Sequence, residues 1–231
     1  MTAIKQEDLI QSISDAFQYI SYYHPLDFIK ALGEAYEREE APAAKDVIAQ
    51  ILTNSRLCAE GHRPICQDTG MTVIFLELGQ DAHIVGGDLT EAINAGVAKG
   101  YTEGYLRKSV VEEPLFNRKN TTNNTPAVIH TTIVPGDKLK IKLAPKGFGS
   151  ENMSRLKMFT PSASKDDLMD FVLETVKLAG GNPCPPMVIG VGFGGDFEYC
   201  AYLAKKALCR PVSERNKIPV YRDMEQELLR R

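Results

Sequence analysis

The chain has 231 residues, a formal charge of −3 and an ordinary globular composition, 43% hydrophobic and 25% charged. That length buries a sizeable core without staples, and the charge offers no basic field for gripping a phosphate backbone, which argues against nucleic acid as a partner. The N-terminus turns polar before any signal-type apolar region begins, and no window approaches the roughly eighteen apolar residues of a membrane span, so a soluble, cytoplasmic protein without membrane contact is expected.

Residues 5–23 carry Leu9, Ile10, Ile13, Phe17 and Ile20 at helical spacing, and Pro25 ends that helix by disfavouring the helical conformation at His24. Ile29, Leu32 and Tyr36 mark a second helix. A third starts near Pro42, a residue favoured in a first turn, and runs through Val47, Ile48, Ile51 and Leu52 to about Cys58. Residues 1–60 are therefore expected to form a helical preface.

The run Met71 to Leu78 reads as a buried strand. Gly86-Gly87 then breaks the chain, and Asp88 with Glu91 three residues later has the pattern of an N-cap opening a helix from Leu89 to about Leu106. The polar segment Asn117 to Asn124 has no periodicity and is expected to be a surface loop or a flap. Ala127 to Val134 is β-branched and apolar, Pro135-Gly136-Asp137 is a turn signal, and Lys138 to Leu143 alternates strictly, a pattern that predicts a hairpin.

Ser162 or Ser164 then caps a helix carrying Leu168, Phe171, Val172, Val176 and Ala179, ended by Gly180-Gly181. Met187 to Val191 predicts a short strand, Gly190 to Gly195 is glycine-rich, and a helix follows from Asp196 to about Leu208. A last apolar stripe, Val220, Met224, Leu228 and Leu229, stops at Arg230-Arg231 without a C-cap. Strands alternating with helices predict an α/β fold of layered helices around a mixed β-sheet, with a helical N-terminal segment.

Chemistry concentrates in Ile65-Cys66-Gln67-Asp68-Thr69-Gly70, which sets a thiol, an amide, a carboxylate and a hydroxyl on consecutive residues just before the apolar strand. Loops at strand ends are where scaffolds present functional groups. Cys184 lies between Pro183 and Pro185 in a stiff loop; it reads either as a structural cysteine or as a metal-ligating thiolate, since Cys-Pro steps recur in iron–sulfur loops. Cys58, Cys200 and Cys209 fall on or beside helices, where free cysteine behaves as a small hydrophobe. No C-x-x-C or H-x-x-H occurs, so any metal site is assembled from distant parts of the chain. Among the histidines, His130 inside an apolar strand is the one retained as a site candidate.

Lys146 to Asn152 is rich in glycine and backbone donors and suits close approach to an anion, although a plain strand-to-helix loop has the same composition. Arg107, at the end of a helix, is of a type that clamps a carboxylate with two parallel bonds, although most arginines at helix ends are merely solvated. Gly190 to Gly195 satisfies G-x-G-x-x-G and raises a rival reading, a nicotinamide-dependent oxidoreductase. A non-enzymatic metal-binding module is a further alternative.

Taken together and in this order, ICQDTG at 65–70, KGFGSENMS at 146–154 and GGNPCPPMVIGVGFGG at 180–195 closely resemble the iron-sulfur-dependent class I fumarase and L-tartrate dehydratase family, over its α (N-terminal) part. The resemblance implies a 4Fe-4S hydro-lyase acting on a small dicarboxylic acid, fumarate/malate or tartrate/oxaloacetate, with an open iron as Lewis acid. It implies that residues 1–231 form a single catalytic domain. It further implies Cys66 and Cys184 as cluster ligands, and Gln67, Asp68, Arg107, Gly149 and Ser150 as substrate-binding residues. The family's third cluster cysteine lies downstream of the matched motifs, and its catalytic base comes from a β subunit or C-terminal domain. The expectation that follows is a domain incomplete at its C-terminus, inactive in isolation, and working in an oligomer with a β partner.

Overall fold

The apolar run at 71–79 forms the strand around which the first part of the molecule is built. In a computed structural model, which describes residues 2–231, β1 (Thr2–Lys5) is followed by α1 (Gln6–Tyr22), α2 (Leu26–Arg38), α3 (Pro42–Gly61), β2 (Met71–Gly79), β3 (Ala82–Val85), α4 (Leu89–Glu103), β4 (Val128–Val134), β5 (Leu139–Lys146) and α5 (Phe148–Glu151). Then come α6 (Lys165–Ala179), α7 (Phe197–Ala207) and α8 (Pro219–Arg230). Two compact units divide the chain, the first ending at Phe148 and the second running Gly149–Arg231. Among the described residues no helix is long and apolar enough to cross a membrane.

In the first unit a three-stranded sheet has the order β4-β2-β5. β2 runs parallel to β4, with Ile74 opposite Ile129, and antiparallel to β5, with Ile74 opposite Leu143. The sheet is therefore mixed, and helices pack against it, as the α/β reading requires. One face meets α1 and α4: Ile74 and Leu76 of β2 join Leu9, Ile13 and Phe17 of α1 and Ile93, Val97 and Tyr101 of α4 in one core, with Leu139, Ile141 and Leu143 of β5 packed against it. The alternation in β5 thus sends its apolar residues inward, as a half-buried strand demands. Phe17 is fully buried and its ring centroid lies 5.4 Å from that of Tyr101; removing such a ring from a core costs about 3–5 kcal/mol.

β4 and β5 do not form the expected hairpin: β2 lies between them. The reason is burial. Val73 to Leu76 are all nearly inaccessible, so both backbone edges of β2 need strand partners away from water. The turn at 135–137 crosses the end of β2 instead of closing a tight pair. Gly79 N–H donates to Lys138 O at 2.8 Å, Gln80 N–H to Val134 O at 2.9 Å and Asp81 N–H to Gly136 O at 2.9 Å. A Cβ at Gly79 would meet Gly136 O at 2.6 Å, so the crossing requires glycine there. β1 and β3, absent from the sequence reading, form a separate parallel pair of four residues each.

In the second unit Ser164 caps α6 with a full capping box, accepting from Asp167 N–H while Asp167 accepts from Ser164 N–H. Gly180, at φ +52, ends the helix. Residues 187–193 are not a strand. They are held against α7, where a Cβ at Gly190 would meet Ala204 O at 2.2 Å and one at Gly192 would meet Cys200 O at 2.2 Å. The glycines are spent on this helix contact, which removes the strand that a dinucleotide-binding turn has to follow.

Candidate active site

The ICQDTG segment joins α3 to β2 and is held at both ends while its middle is presented outward. At its start Ile65 N–H donates to Ser21 O at 2.9 Å, and Ile65 O accepts from Asn54 Nδ2 at 2.9 Å. At its end the Gly70 carbonyl accepts two bonds, from Tyr101 Oη at 2.8 Å and Asn124 Nδ2 at 2.9 Å. Between these anchors Cys66 and Gln67 are exposed and Asp68 is half-buried. Tyr101 sits in the core at 1% exposure, and burial raises its hydroxyl above the ordinary tyrosine value, so it remains a neutral donor.

The Cys66 sulfur accepts the backbone N–H of Asp68 at 3.4 Å, and its thiol donates to Gln67 Oε1 at 3.5 Å. The sulfur is thus exposed and held between two polar neighbours, on a residue type that binds metals. Cys58, by contrast, is buried on α3 with its thiol facing Pro64 O at 3.5 Å, and Cys200 on α7 faces Phe197 O at 3.4 Å. Both have the surroundings of packing cysteines.

Arg107 follows α4 and is exposed. Its backbone is also fixed on both sides. Leu106 is buried in the core and donates to Tyr101 O at 3.0 Å, Lys108 O accepts from Asn120 Nδ2 at 2.9 Å, and Ser109 N–H donates to Asn124 Oδ1 at 2.6 Å.

The start of the second motif lies beside ICQDTG. Met71 is paired with Lys146 across β2 and β5, and a Cβ on Gly147 would meet Asp68 Oδ2 at 3.0 Å. The first unit therefore carries Cys66, Gln67, Asp68, Arg107 and Gly147, with Asp68 and Gly147 in direct neighbourhood. Gly149 and Ser150 lie in the short α5 and Cys184 beyond α6, all in the second unit.

Within that second unit the two remaining motifs are tied together. Asn182 Nδ2 donates to Met153 Sδ at 3.5 Å, and Glu151 of α5 pairs with Lys205 of α7. Cys184 is exposed at φ +57 between its prolines, and its N–H donates to Gly181 O at 3.2 Å. Both predicted ligand thiols are exposed, a donor chemistry that fits a thiolate-bound iron–sulfur group. Among the described residues no three of His, Cys, Asp and Glu gather as a metal-binding group.

His130 stacks on Phe75 with ring centroids 5.3 Å apart and is accounted for as a cross-strand packing pair. Asn124 is what the sequence reading missed. It closes the polar 117–124 segment, yet it is fully buried at φ +62. The one available signal was its type, since asparagine tolerates the left-handed region and makes local backbone bonds there.

The model of the family described as fumarate hydratase (fumerase) matches residues 10–231. A Methanocaldococcus jannaschii protein provisionally named L(+)-tartrate dehydratase subunit alpha is 38% identical over 224 residues, covering 94% of this chain and 78% of that protein. The L(+)-tartrate dehydratase alpha subunits of Escherichia coli strain K12 and Shigella sonnei are each 28% identical over 224 residues, covering 95% of this chain and 73% of theirs. A family match spanning residues 10–231, joined to a relative 38% identical over nearly the whole chain, places this protein in the fumarate hydratase (fumerase) family.

Proposed function

We propose that the chain is the α part of a 4Fe-4S hydro-lyase that adds or removes water across a small dicarboxylic acid of the fumarate/malate or tartrate/oxaloacetate type, in the cytoplasm. The observation that carries this reading is the exposed Cys66 thiol with the Asp68 N–H on its sulfur, beside Gln67, Asp68 and Gly147. Cys66 and Cys184 would hold the cluster. When bound, an iron not saturated by thiolates supplies Lewis acidity for the substrate's hydroxyl and carboxylate.

The remaining roles belong to this chain's own residues. Arg107, exposed on a backbone pinned at both ends, is suited to gripping one substrate carboxylate with two parallel N–H bonds. Gln67 and Asp68 orient the polar end of the substrate beside the thiolate. Gly149 and Ser150 offer the amide and hydroxyl donors of α5 to an anionic group. The proton taken from or given to carbon is assigned to a base on the β partner, consistent with the relatives being named alpha subunits.

The test is anaerobic production of this chain with its β partner, assayed with fumarate, malate and L-tartrate. Hydration or dehydration of at least one of them is expected, and Cys66→Ala and Cys184→Ala should each abolish it and lower iron and sulfide content. Full activity in Cys66→Ala removes that residue from the ligand set. Tight zinc binding by this chain without any partner, unaccompanied by hydro-lyase activity in the complex, would favour a plain metal-binding module instead.

A further inference from the structure

We infer that Asn124 is a positioning residue that sets the ICQDTG loop and the Arg107 loop in register with each other. One side chain serves both: its Nδ2 donates to Gly70 O at 2.9 Å, and its Oδ1 accepts from Ser109 N–H at 2.6 Å and Val110 N–H at 2.9 Å. The amide is fully buried, and it is the only side-chain chemistry that both donates and accepts from one planar, neutral group of this size. A carboxylate there cannot donate to Gly70, and an apolar side chain takes the Oδ1 acceptor from two N–H groups and leaves the Gly70 carbonyl with Tyr101 alone.

The consequence is a shared reference point. Cys66 to Asp68 hang between Ile65 and Gly70, whereas Arg107 hangs between Leu106 and Ser109. Tyr101 reaches Gly70 from the same side, and its hydroxyl also bonds to the Asn124 side chain but not to Ser109 or Val110 N–H, so its removal acts directly on the first loop and only through Asn124 on the second. The expected role of Asn124 in substrate binding rests on the hydro-lyase reading; its mechanical role does not.

The experiment compares wild type, Asn124→Ala, Asn124→Asp and Tyr101→Phe in the complete enzyme with its β partner, by amide hydrogen exchange and by steady-state kinetics. Asn124→Ala should raise exchange about tenfold in both 65–72 and 106–112, as loss of buried hydrogen bonds does locally, and leave α2 unchanged. Tyr101→Phe should raise it more in 65–72 than in 106–112. Asn124→Asp keeps its acceptors and should protect 106–112 better than Asn124→Ala does. In activity, the alanine variant should raise KM for the dicarboxylate about tenfold with a smaller change in kcat, the split expected when a binding group is displaced. Exchange that rises uniformly through residues 2–148, or in neither loop, overturns the inference. A wild-type enzyme that turns over no dicarboxylate defeats the functional reading alone, since the exchange pattern still decides what Asn124 does.

Discussion

A Cβ on Gly70 would stand 1.9 Å from the carbonyl oxygen of Lys146 and 2.6 Å from Gly147 Cα. The last residue of the first motif and the first residues of the second are therefore in backbone contact, with no room for a side chain between them. Gly70 also sits at φ +75, where an L-residue is strained even in open space. Gly70→Ala should destabilise the first unit by about 3 kcal/mol, combining a left-handed alanine with a backbone clash. Urea denaturation followed by circular dichroism checks this, and a midpoint within error of wild type would show that the two motifs are not in contact.

Most of this architecture was legible because it rests on local rules. α1, α2, α3 and α4 follow from apolar spacing, and Asp88 and Ser164 accept the capping bonds that their positions predict. What was illegible depends on distant strands. The turn at Pro135-Gly136-Asp137 has ordinary hairpin chemistry, and nothing local says that β2, more than fifty residues upstream, inserts between the two strands. Similarly Met187 to Val191 has strand composition but forms no strand, and Gly190 and Gly192 fit the segment to α7 instead. Cys66, Gln67, Asp68 and Arg107 were found as functional types in loops, whereas Asn124, which braces them, lay in a segment whose composition signals only turns.

The glycine pattern at 190–195 makes a prediction of its own. Gly192→Ala places a methyl group 2.2 Å from Cys200 O and 2.4 Å from Ala204 N, both backbone atoms that cannot swing aside. Limited proteolysis should cut the variant faster within 149–231 while the first unit keeps its resistance. NAD should give no protection in either form. Protection of wild type by NAD, lost in the variant, would restore the nucleotide-binding reading.

Glu113 organises the exposed turn carrying Leu115 and Phe116. Its carboxylate accepts from Leu115 N–H and Phe116 N–H at 2.6 Å each and from Asn117 N–H at 2.9 Å. The Asn117, Leu115 and Phe116 donors hold its carboxyl below the ordinary glutamate value of 4.5. A depressed folded-state value means that the turn's stabilisation is complete above about pH 4.5 and is lost as pH falls through that lower value. Amide exchange at 115–117, corrected for its intrinsic pH dependence, should therefore rise on acidification below pH 4.5. In Glu113→Gln the corrected exchange should be nearly flat, and an unchanged acid response in that variant would assign the transition to another group.

Thiol reactivity separates the cysteines by role. Cys66 and Cys184 are exposed, Cys200 and Cys209 are half-buried, and Cys58 is buried with its thiol against Pro64 O and Asn54 Oδ1. Alkylation needs access to the sulfur. Brief iodoacetamide treatment of cluster-free protein, mapped by mass spectrometry, should label Cys66 and Cys184 first and Cys58 last, at a rate set by opening of the first unit. Asn54 offers a control: Asn54→Ala removes a partly buried partner of the Cys58 thiol, which keeps Pro64 O, and the partner of the Ile65 carbonyl, and should speed labelling of Cys58 by about tenfold, the effect of losing one hydrogen bond. Equal labelling of Cys58 and Cys66 in the wild type would mean that α3 and the ICQDTG loop do not pack as described, and with them would go the fixed backbone from which Cys66 is presented.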